Sequence, residues 1–105
     1  MEWKSVSRDG FQAILDPEIA ALPKETLEVL SLHAVNVFEQ PCFRDSSYGI
    51  EKVFVVARAG TRLLFYDDVE EEFGIGVPDS DGVLQVSELC GPLAAAIRAL
   101  VGEAT

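Results

Sequence analysis

The sequence predicts one α+β domain over residues 1–105. It has an antiparallel sheet of three to four strands, centred on a 50–66 hairpin, with two or three helices packed on one face. Three observations lead there. Residues 50–58 contain Val53-Phe54-Val55-Val56-Ala57, apolar on both faces as a covered central strand is. Arg62-Leu63-Leu64-Phe65-Tyr66 returns as a second arm after an Ala59-Gly60 tip. Two segments with helical apolar spacing, Pro23 to about Ala34 and Pro92 to Val101, flank the strands.

The elements can be justified in order. Trp3 and Val6 stand on a mixed background, and Asp9-Gly10 is a turn signal. Phe11, Ile14 and Leu15 have the i, i+3, i+4 spacing of a helix. Asp16-Pro17 reads as an N-cap with proline at the first helical position, and Pro23-Lys24-Glu25 opens a further helix by the same logic. In that helix Leu27, Leu30 and Ala34 share a face. Val35 to Gln40 starts as an alternating, half-buried strand, and Pro41 ends it or places it at an edge. Arg44 to Gly49 is a loop by composition. After the hairpin, Asp67 or Asp68 can cap a short helical turn that begins with Glu70 to Glu72. The stretch from Phe73 to Pro78 cannot be a long helix. Its glycines permit a bend or close packing beside the sheet. Asp79-Ser80-Asp81-Gly82 is a turn, and Val83 to Val86 a short strand. In the last helix Leu93, Ala96, Ile97, Leu100 and Val101 form one stripe, which Gly102 closes.

Composition bounds the function. A chain of 105 residues buries roughly 65% of its unfolded surface, enough for one core without staples. Hydrophobic content of 49% with 25% charged residues is globular usage. A formal charge of −10 argues against nucleic acid and anionic membranes as partners, because phosphate neutralisation needs lysine and arginine. No apolar run approaches the ~20 residues of a membrane span. The start, Met1 to Ser5, lacks the pattern of a signal peptide. The expectation is a cytoplasmic protein whose Cys42 and Cys90 are reduced thiols.

Catalytic and metal motifs each fail at a named position. His33 is the one histidine, and Cys42 stands beside Pro41 and Phe43, an apolar setting that raises a thiol pKa. One histidine and two distant cysteines cannot build a transition-metal site. Asp79, Asp81, Gly82 and Glu88 have calcium-loop spacing, yet the first ligand position falls on Val77. Gly74-Ile75-Gly76 lacks a third glycine and any nearby cation for phosphate. Asp67 with Glu71 would need a shielded cleft to separate their pKa values for acid–base work. No catalytic residue, cofactor or metal is expected.

One feature stands out. From Leu63 to Ile97 there is no lysine or arginine but eight carboxylates, −8 of the formal −10. Five of the six residues from 67 to 72 are acidic. Such a run needs full solvation or a cationic partner. The expected partner-binding set is Tyr66, Asp67, Asp68, Glu70, Glu71, Glu72 and Phe73, with the two aromatics as anchors beside the charge. Arg44 and Tyr48 are secondary interface candidates. The leading expectation is a non-catalytic protein-binding module facing a basic partner, such as an inhibitor or immunity-type protein. The alternatives are a homodimeric structural or assembly protein, using the arm after Arg44 and the alanine-rich Leu93–Val101 helix, and a small-ligand binder or enzyme.

Overall fold

In a computed structural model, which describes residues 7–45 and 49–102, the chain is α+β with five strands and three helices. The helices are α1 (Arg8–Ala20), α2 (Lys24–His33) and α3 (Leu93–Leu100). The strands are β1 (Ala34–Asp45), β2 (Gly49–Ala59), β3 (Arg62–Asp67), β4 (Glu72–Pro78) and β5 (Leu84–Gly91). Each strand pairs antiparallel with the next, and a parallel Cys42–Leu84 pair between β1 and β5 closes the sheet into a barrel. Segment 1–6, with Trp3 and Val6, lies outside the described residues. So do Tyr48 and the side chain of Arg44.

The barrel explains why β2 and β3 are apolar on both faces. Alternate residues point to opposite sides of a strand. Val53, Val55, Leu63 and Phe65 join Cys42 and Leu84 in a cluster with no helical member, which fills the barrel interior. Phe54, Leu64, Tyr66, Phe73 and Ile75 point outward into a second cluster with residues from all three helices. A bulge between Val55 and Ala57 turns Val56 and Ala57 both to the helix side.

The strand count is five because β4 is a strand despite its two glycines. A Cβ on Gly74 would come 2.8 Å from the Glu88 carbonyl oxygen and 3.2 Å from the Phe65 ring. One on Gly76 would come 2.8 Å from the Gln85 carbonyl oxygen and 2.9 Å from Leu84. The missing side chains therefore let β4 approach β5 closely and leave interior room for Phe65 and Leu84. The close-packing expectation for these glycines holds, and the three-to-four strand count is corrected.

Strand β1 continues through Pro41 to Asp45, further than the sequence predicts. Proline is tolerated there because Cys42–Leu84 is the one described pair on that side of β1. The β2–β3 hairpin is as expected, with its tip one residue later at Gly60-Thr61. Gly60 has a φ of +63°, the first-position requirement of a type II′ turn.

Helix α1 corrects a second expectation. It starts after Ser7, whose side chain accepts the Gly10 amide at 3.0 Å, and it runs through Pro17. A proline inside a helix costs about 3 kcal/mol. Full burial of Phe11 and Leu15 returns about 1.5–3 kcal/mol each, enough to hold the turn together. Phe11 stacks on Phe54 at 4.9 Å between centroids and touches Tyr66 and Phe73. Helix α2 begins at Pro23 as expected, and α3 follows Pro92. Leu93, Ala96, Ile97 and Leu100 of α3 are all buried, so its apolar stripe faces the protein's own core.

Candidate functional site

The acidic run forms the β3–β4 hairpin, in place of the expected helical turn. Asp67 pairs with Glu72 across the strands, leaving Asp68 to Glu71 as the tip. Asp67 sets the tip. Its buried carboxylate accepts the amides of Val69 and Glu70, both at 3.0 Å, which is the chemistry by which aspartate shapes a turn. Glu71 then takes a left-handed backbone, φ +57°, the one positive-φ residue other than glycine among those described. That region disfavours side chains bearing a Cβ.

The seven predicted partner-binding residues thus have different fates. Tyr66 and Phe73 are 5% and 2% exposed and sit in the helix-side core, ring centroids 5.1 Å apart. They are core residues, and the expectation of exposed aromatic anchors is corrected: strand alternation aims both side chains at α1. Asp67 is buried and structural. Asp68 and Glu72 are half-buried, and Glu70 and Glu71 are exposed.

Carboxylates from other elements join them. Glu18 of α1 lies close enough to Tyr66 to act on it together with Glu71, Asp68 and Asp67. Burial first, and then these charges, raise the Tyr66 phenol above its ordinary pKa. Glu18 also accepts the Leu93 amide at 3.0 Å, so a carboxylate of the first helix caps the last one. Burial, followed by Glu88 and Glu72, pushes the Cys90 thiol up, with Arg62 opposing. One end of the molecule is strongly negative, and sequence reasoning did not assign Glu18 to it because the link spans 75 positions.

The remaining candidates have local roles. Asp79 accepts the amides of Asp81 and Val83 and the Gln85 side chain, which lowers its pKa, chiefly through Val83. That is the turn reading of this loop, made for backbone reasons. Among the described residues no group of three or more histidine, cysteine or acidic side chains is gathered as for a metal ion. Nδ1 of His33 donates to the Arg58 carbonyl at 3.2 Å. Cys42 is fully buried in the barrel interior, with its thiol directed at the Phe43 carbonyl. No helix among the described residues is long and apolar enough to cross a membrane.

At the end of the barrel away from the acidic tip is a cleft of about 440 Å³. Phe38 and Gln40 of β1, Arg58, Thr61 and Leu63 of the β2–β3 hairpin, and Pro78 of β4 line it. Nothing in the sequence pattern joins these residues. Only barrel closure brings them together. Comparison with protein-family models, curated proteins and solved structures finds no match to this chain.

Proposed function

We propose that the protein is a non-catalytic protein-binding module that presents the β3–β4 tip to a basic partner. The observation that carries this reading is Glu71. An exposed glutamate holds a backbone conformation that glycine or asparagine would adopt more cheaply. Strain retained at a surface turn is a recurrent mark of a functional position. It sits beside exposed Glu70, on a loop fixed from below by buried Asp67, so the carboxylates are held in place and not trailing on a flexible tail. In its concrete form the module is an inhibitor or immunity-type protein that covers the cationic site of a nuclease or toxin domain.

The contact surface consists of Asp68, Glu70, Glu71 and Glu72, without an aromatic centre. Electrostatic recognition of this kind speeds encounter and is salt-sensitive. The test is capture of partners from native lysate by the protein and by a Glu70→Lys, Glu71→Lys double variant. The reversed variant should lose the partner, and the native complex should elute at about 0.5 M salt, where charges more than a few ångströms apart are screened. Equal capture by both proteins would sink the proposal.

A second reading, a homodimer, is favoured by the seam of the barrel. Among the described residues one ladder pair joins β5 to β1, and Val86 and Leu89 of β5 are 40% and 38% exposed. The contact would be this edge and not α3, whose apolar side is already covered. Sedimentation separates the two readings, because an apolar dimer persists at high salt.

A further inference from the structure

We infer that the mouth of the barrel opposite the acidic tip binds a small organic carboxylate. Arg58 holds the carboxylate, and Phe38, Leu63 and Pro78 pack its apolar body.

The inference begins with where a ligand can fit. A five-stranded barrel is narrow, and here Cys42, Val53, Val55, Leu63, Phe65 and Leu84 fill it. A ligand can therefore enter only as far as the mouth. Cross-strand partners share a face of the sheet. Phe38 is paired with Val55, Gln40 with Val53, Arg58 with Leu63, and Pro78 with Leu84. Every one of those partners belongs to the interior cluster. So Phe38, Gln40, Arg58 and Pro78 stand on the interior face, beside the filled core, and all four line the cleft. Its volume of about 440 Å³ is in the range of small-molecule sites. Barrel mouths are among the places where such sites occur.

The chemistry of the walls selects the ligand. This chain has 18 acidic residues among 105, yet no carboxylate lines the cleft. The one charged group is the guanidinium of Arg58. Among the described residues it has no acidic partner; the ion pair seen is Lys52–Glu39, at 3.9 Å. A guanidinium matches a carboxylate with two parallel hydrogen bonds, whereas it offers a neutral amide much less. Thr61 adds a hydroxyl that can donate to the same group. Gln40 is already engaged, donating through its side-chain nitrogen to the Gly82 carbonyl and so tying the β4–β5 turn to the rim.

The negative charge of the protein does not forbid an anion here. Strand β3 separates the two ends, and its six residues span about 17 Å, roughly twice the Debye length at physiological salt. The carboxylate of Asp79, in the turn at the mouth end, is directed onto its own loop amides and Gln85. Asp81 of the same turn is exposed to solvent and does not line the cleft, so Arg58 is the charged side chain on its walls.

The test is titration of ¹⁵N-labelled protein with hexanoate, benzoate and phenylacetate, each run beside its primary amide. At least one carboxylate should move the Phe38, Thr61 and Leu63 amide resonances saturably, with its amide about tenfold weaker or worse. Arg58→Gln should weaken the carboxylate by about tenfold or more while leaving resonances at the acidic tip in place. Arg58 is exposed, so this variant is expected to fold, and its spectrum reports that directly. No saturable shift with any of the three acids overturns the inference, as does equal binding of acid and amide, or unchanged affinity in Arg58→Gln.

Discussion

Replacing Glu71 separates the backbone of the acidic tip from its charge. With φ at +57°, a residue bearing a Cβ is disfavoured by about 1–2 kcal/mol. Glycine removes that strain but returns about 0.4–1 kcal/mol of freedom to the unfolded chain. Glu71→Gly should therefore stabilise the fold by about 0.5–1 kcal/mol net. At this chain length that raises Tm by roughly 2–8 °C. Glu71→Ala is the necessary partner experiment. It removes the same charge, and hence the same repulsion from Glu70 and Glu72, but keeps the strain. The difference in Tm between the glycine and alanine variants isolates the backbone contribution. Thermal unfolding followed by circular dichroism reads it, provided the transition is two-state. If the two variants melt together, or the glycine variant melts lower, Glu71 is not strained and the argument for a selected carboxylate at that position falls. If the reasoning holds, Glu71→Gly gives a more stable protein that captures its basic partner less well.

Two other predictions concern the barrel and its turns. Gly74→Ala and Gly76→Ala each drive a methyl group to within 3 Å of β5 backbone, so each should destabilise by about 1–3 kcal/mol in urea unfolding; a neutral result would mean that β4 and β5 are further apart than described. Asp79 has a lowered pKa, so its hydrogen bonds support the fold above the ordinary aspartate value of 3.8, and that support fades as pH falls below this value through the folded pKa; carbon-13 titration of the side chain should show the low midpoint, which Gln85→Ala raises.

Much of the fold was legible because it is written in local patterns. The 50–66 hairpin, α2 and α3 follow from apolar spacing and from Pro23, Gly60 and Pro92. The misreadings occurred where long-range packing overrides local preference. Pro17 looks like a helix start, yet Phe11 and Leu15 bury so well that the helix runs through it. Gly74 and Gly76 lower strand propensity, yet the strand needs them, since their lack of side chains admits Phe65 and Leu84. The acidic run was legible as charge but not as geometry. Tyr66 and Phe73 looked like interface aromatics because sequence shows that helices cover the sheet but not that α1 reaches these two side chains. Arg58 and Phe38, twenty positions apart, give no sign in the sequence that they border one cleft.

The closure of the barrel has a consequence for motion. Each strand neighbours the next in sequence, so the sheet is a chain of hairpins closed into a ring where β1 meets β5, and among the described residues Cys42 with Leu84 is the one ladder pair there. Such a ring can part at its seam and leave every hairpin intact. This makes the seam the natural site of sub-global opening. Amides on the free side of β5 should then exchange with solvent long before those of β2 and β3, and brief opening would bare Cys42 and Leu84, both fully buried in the closed ring. The polar and acidic side chains at Ser87 and Glu88, exposed on that same strand, act in those moments as a guard against edge-to-edge association.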